Sequence, residues 1–197
     1  MSIVDRVKGI LLEPKAEWPK VAGEPASVQS IYTNWVMILA AIGPVMILLS
    51  SALFAAGLGF GYGFALRAAV AAYVNALVAV ALLALIVDVL APSFGGSKDY
   101  VRSLKLVAYS FTAVWVGEIA LIVPVLGWLV VLMATIYAFY VFFLGAPTLG
   151  RCSSDKAAPF TIVVVLCAIV LAVIIQRLVF AVLGFGSGVP GTMGMMR

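Results

Sequence analysis

The chain has 197 residues, of which 65% are hydrophobic and only 10% charged, with a formal charge of +4 and no histidine. That balance excludes an ordinary soluble domain. With no basic cluster and no stacking platform, the positive charge does not point to nucleic acid either.

Missing histidine removes the commonest metal ligand and the commonest general base together. Cys152 falls in a loop and Cys167 in an apolar stretch, and their spacing fits neither a zinc site nor a disulfide. No cofactor and no metal site are expected. Nor is a cleavable signal, because positions 1–34 contain no apolar core of the required kind.

The first segment, 1–34, reads as cytoplasmic and interfacial. Ile3, Val7, Ile10 and Leu11 recur at helical spacing, with Asp5, Arg6 and Lys8 off that stripe. Pro14 should stop this short amphipathic helix, and Trp18 should follow as an interfacial anchor. The helix either lies on the leaflet or packs on loops of its own chain.

From Pro25 to Leu66 the chain carries not one charged side chain, and 68–87, 119–150, 157–176 and 178–196 are charge-free as well. A hydrocarbon core about 30 Å thick takes about 20 apolar residues per helix, and lipid demands that backbone groups be satisfied within each span. The fold class is therefore all-α: a polytopic bundle of five transmembrane helices over 35–183.

The first span is expected at about Trp35–Ala56, with Pro44 inside it, and the glycine-aromatic stretch 57–63 should turn the chain. The second covers about Leu66–Leu90, before the loop at 91–96. Beyond Lys105, the only charge as far as Leu149 is Glu118. One helix from Leu104 to Leu149 would measure roughly 69 Å, so Pro124 and Gly127 should divide it into a hairpin of two spans, about 104–123 and 126–149. The fifth span is about Phe160–Leu183, and the glycine-rich tail 184–197 is expected to be disordered.

Lys and Arg number nine on the side that holds the N-terminus and three on the other. This bias predicts a cytoplasmic N-terminus and a C-terminus outside.

Several stretches resemble the Yip1 domain family. Arg6-Val7-Lys8-Gly9-Ile10-Leu11-Leu12-Glu13-Pro14-Lys15-Ala16-Glu17-Trp18 is similar to the family's opening. Ala41-Ile42-Gly43-Pro44, the exit from Ile136 through Pro147, and Asp155-Lys156-Ala157 match further points, and Tyr109-Ser110 falls on an aromatic/small pair. Phe111-Thr112 stands where many members carry a proline.

The resemblance implies a multi-pass protein of the short, prokaryotic type, placed in a cytoplasmic membrane. Eukaryotic members are associated with Rab GTPases and vesicle traffic. This chain lacks their aspartate-leucine-tyrosine-glycine-proline stretch, so Rab binding is not carried over.

An ionisable residue inside a span is a functional candidate by default. Glu118 and Arg177 both fall roughly 8–9 Å below the outer boundary, and Asn75 sits at comparable depth. A Glu118–Arg177 ion pair with Asn75 nearby is the candidate polar cluster, read either as a register-fixing structural pair or as a transport or lipid-headgroup contact. Asp88 should meet Arg102 or Lys105 at the inner boundary. Ala68, Ala72 and Ala76 form a small-residue face for packing within the chain or against a second copy.

No catalytic set is recognisable, so the chain is not expected to be an enzyme. Two functions remain: a non-enzymatic membrane-organising or trafficking-type scaffold, or a small transporter, channel or lipid-moving protein built on Glu118. Expected partners are membrane lipids and proteins on the cytoplasmic face, with a homo-oligomer also open.

Overall fold

The computed structural model describes residues 2–54, 62–123 and 125–182. Five helices are long and apolar enough to cross a membrane: Val28–Leu53, Gly63–Phe94, Tyr100–Ile122, Leu126–Thr148 and Ser154–Val179. Among the described residues the rest is helical or loop, with one isolated bridge between Gly95 and Cys152. The all-α five-span reading holds. Of the turn expected at 57–63, positions 57–61 lie outside the described residues, whereas Tyr62 and Gly63 already belong to the helix of the second span, Tyr62–Leu90; the tail at 184–197 also lies outside the described residues.

The first span begins at Val28, not Trp35. Ser27 and Ser30 form a reciprocal capping box, each side chain accepting from the other's backbone N–H. The helix therefore starts inside the segment assigned to the cytoplasmic side. Its winding is uneven, with a π turn at Tyr32–Val36 and a break before Ile42–Phe54. Pro44 causes the break, since it offers no N–H to the Ala40 carbonyl and its ring crowds the preceding turn.

The third and fourth spans separate where the proline and glycine predict. The third ends in a tight 3-10 turn, Glu118–Ile122, and Val125 reverses the chain with φ 66°. A β-branched residue rarely adopts that region.

The N-terminal helices correct two expectations. Helix α1 (Ile3–Leu12) and helix α2 (Pro14–Gly23) form a hairpin against the bundle itself, chiefly on the third and fourth spans. Trp18 is no lipid anchor. It is 1% exposed, its Nε1 donates to the Val141 carbonyl at 3.0 Å, and its ring lies over Gly145. A Cβ at Gly145 would stand 2.7 Å from the indole Cδ2, so only glycine lets the ring in.

The Tyr137 hydroxyl donates to the Leu11 carbonyl at 2.7 Å. Tyr137 and Val141 are roughly 16 and 10 Å from the helix end at Thr148, so the hairpin reaches well down the fourth span. Val4 and Leu12 stay exposed on its outer side.

The buried core gathers on this half of the bundle, around Trp18, Trp35, Leu104, Val107, Phe142 and Phe160. Around the perimeter, Val70, Val74, Ile169 and Val173 are exposed apolar side chains at the level where lipid is the solvent.

Candidate functional site

The candidate polar cluster does not assemble. Glu118 turns toward the first span, where its carboxyl lies on Gly43 so closely that a Cβ there would stand 2.8 Å from the carboxyl carbon. Gly43 sits just after the break imposed by Pro44, so the irregular turn and the missing side chain together make the notch. Arg177 is exposed on the fifth span, and no ion pair joins it to Glu118 among the described residues.

Asn75 faces elsewhere again. With Gln176 and Trp128 it lines a cavity of about 510 Å³ that also involves the fifth span. Similar depth along three helices says nothing of the direction in which each side chain leaves its axis.

The structure instead concentrates charge on the face that holds the N-terminus. Arg6, which the apolar stripe would leave in solvent, is 6% exposed. Its Nη1 donates to Glu17 Oε1 at 2.7 Å and its Nη2 to Glu24 Oε1. Lys20 donates to the other Glu17 oxygen at 2.8 Å. Lys105, from the third span, donates to the Val21 carbonyl at 2.9 Å and to the Glu24 carbonyl.

Three cations thus surround two carboxylates, and backbone carbonyls at the end of α2 accept from Lys105. A buried ion pair is costly unless its remaining hydrogen bonds are satisfied, and here the α1–α2 hairpin supplies them. The cluster encloses one side of a cavity of about 390 Å³ between the hairpin and the first and third spans. Tyr109 and Asn34 line its far side, and the Tyr109 ring packs on Trp35 with centroids 4.6 Å apart.

A second network closes the same face. Asp88 meets neither Arg102 nor Lys105, contrary to its expected pairing. Its Oδ1 accepts from the Asp99 N–H at 2.7 Å and the Ser103 hydroxyl at 3.3 Å, and stands 3.5 Å from Arg151 Nη1. Arg102 pairs with Asp99 at 3.2 Å and so is already engaged.

Arg151 is fully buried and donates to the carbonyls of Leu149 and Asp99 at 3.2 and 3.1 Å. Burial pulls its pKa down, while the Asp99 and Asp88 carboxylates hold it up. Around it the two inter-span loops join, with Ser153 N–H donating to the Phe94 carbonyl at 3.0 Å. Cys152 is buried beside it, and that burial, with Asp155 adding to it, pushes the thiol up to about 11.

Sequence reasoning misses both networks. Arg6 and Arg151 look like ordinary topology charges, and their only signal is position: each stands near carboxylates that only folding brings close. Among the described residues no group of three His, Cys, Asp or Glu side chains could hold a metal ion.

These features define a class: a five-span helical membrane protein whose N-terminal hairpin and inter-span loops fold into one charged cap. The Yip1 domain family model matches residues 8–175, most of the chain, and the protein belongs to that family. Comparison with curated proteins and with solved structures finds no match.

Proposed function

We propose that the protein is a non-enzymatic, membrane-organising scaffold of the trafficking type, with its basic face in the cytoplasm. The observation that carries this reading is the folded cap. Hairpin and loops are tied to the spans by Trp18, Tyr137, Lys105 and Arg151, so this face presents a fixed surface. Lys8, Lys15, Lys20, Lys98, Arg102 and Lys156 are exposed on it.

Protein partners dock on that surface, and anionic lipid adds about 1 kcal/mol per basic residue near it. The Lys/Arg bias supports the orientation. The absence of a recognisable nucleophile–base pair among the described residues supports a non-catalytic role.

Reconstitution of the purified chain into sealed liposomes tests the reading, with ion flux and lipid scrambling as readouts. Silence in both assays is the expected result. Robust flux abolished by Glu118→Gln would replace the scaffold with a transporter built on the Gly43 notch.

A further inference from the structure

The cavity between the hairpin and the first and third spans does more than separate them. Both cations that line it among the described residues, Arg6 and Lys105, are more than nine-tenths buried, at 6% and 5% exposure. Lys105 has three protons to give and spends two, on the carbonyls of Val21 and Glu24. Its third points to no acceptor among the described residues.

Tyr109 lines the same space, and its hydroxyl has no hydrogen bond among the described residues. The Asn34 oxygen accepts from Thr33 at 3.4 Å, which leaves its NH2 group free. Donors therefore converge on the cavity from both sides. Of the charged side chains that line the cavity, Arg6 and Lys105 stand against one carboxylate, Glu24, which Arg6 engages; this leaves a surplus of one positive charge, and Ile3, Ile31 and Trp35 supply apolar wall.

We infer that this cavity binds the phosphodiester of an anionic phospholipid headgroup, held by Lys105, Tyr109 and Asn34 with Arg6 behind them. A monoanion matches both the surplus charge and the unspent donors. A lipid is favoured over free phosphate by position. Lys105 lies about 8 Å into the third span at 1.5 Å per residue, among elements that flank the bilayer, and the apolar wall suits the glycerol end of a headgroup. The cavity's volume of about 390 Å³ is within the range of small-molecule sites. The inference does not depend on the scaffold reading, since a transporter could hold the same lipid.

The test uses the full-length chain in nanodiscs of phosphatidylcholine with or without phosphatidylglycerol. Native mass spectrometry counts the lipids that stay bound on release, and inorganic phosphate alone serves as a separate arm in thermal unfolding. Tyr109→Phe combined with Asn34→Ala removes two donors that bond nothing else and only one long, exposed contact, from Thr33 to the Asn34 oxygen at 3.4 Å, so the fold survives; circular dichroism and melting temperature verify this.

The expected result is one phosphatidylglycerol retained per chain and at least about a tenfold loss of retention in the double variant. Phosphate alone should leave the melting temperature unmoved. Equal retention by the wild type and the double variant would overturn the proposal. So would full stabilisation by inorganic phosphate alone, which would make the site one for a free anion.

Discussion

Replacing Trp18 by alanine should release the N-terminal hairpin while leaving the five spans folded. The side chain is 1% exposed and donates to Val141 at 3.0 Å. Burying an indole removes about 150–250 Å² from solvent, worth roughly 4–6 kcal/mol at ~25 cal/mol per Å² as an upper estimate. Measured core truncations of this kind cost about 3–5 kcal/mol. At a factor of ten per 1.4 kcal/mol, the undocked population should rise roughly a hundredfold to several thousandfold.

Trp18→Phe keeps most of the area and loses the hydrogen bond, for about 1 kcal/mol. Hydrogen exchange in nanodiscs is the assay, read over 3–23 and separately over the spans. Protection should collapse over the hairpin in Trp18→Ala, fall slightly in Trp18→Phe, and persist in the spans. Unchanged protection over 3–23 in Trp18→Ala would refute the docking argument. So would strong quenching by brominated lipid in a variant whose one remaining tryptophan is Trp18, since that would put the ring in lipid.

The other expectations concern charge and space. Cys152, buried with its thiol pushed up to about 11, should resist a maleimide at about pH 8 because almost none of it is thiolate, whereas an exposed Ser154→Cys in a Cys152→Ala background should label readily. Rapid labelling of native Cys152 would contradict its burial. Arg151→Met should cost about 3–5 kcal/mol by removing the counter-ion of Asp88 and the ties to the Leu149 and Asp99 carbonyls, and a melting temperature equal to the wild type would remove this network from the stability argument. Gly43→Ala should destabilise by about 1–3 kcal/mol through crowding, and less in a Glu118→Ala background; equal costs in both would mean that the carboxyl does not fill the notch. Arg177→Gln, at an exposed position without an ion pair among the described residues, should change stability by less than about 0.5 kcal/mol.

Span number and the hairpin break are legible in the sequence because they depend on one-dimensional quantities: charge-free length, and the backbone limits of Pro124 and Gly127. Pro44 is equally legible as an interruption. Azimuth is not. Glu118, Arg177 and Asn75 lie at similar depths but leave their helices in different directions, and hydropathy that is nearly uniform around a span carries no mark of its inward face.

Trp18 misleads for a related reason. An indole after a short amphipathic helix suits a membrane interface and a protein groove alike. Only Gly145, far along the chain in the fourth span, decides between them. Arg6 and Arg151, read by sign alone, look like topology charges, whereas their role comes from carboxylates and carbonyls brought close by folding.

The hairpin's reach along the fourth span has a mechanical consequence. At the depth of Val141 and Tyr137 the molecule is five spans plus two further helices in cross-section, whereas toward Leu126 it is the spans alone. A pull on the N-terminus is borne by the fourth span, through the Trp18 ring on Gly145 and its bond to Val141 123 residues further along the chain, before it reaches the short link into the first span.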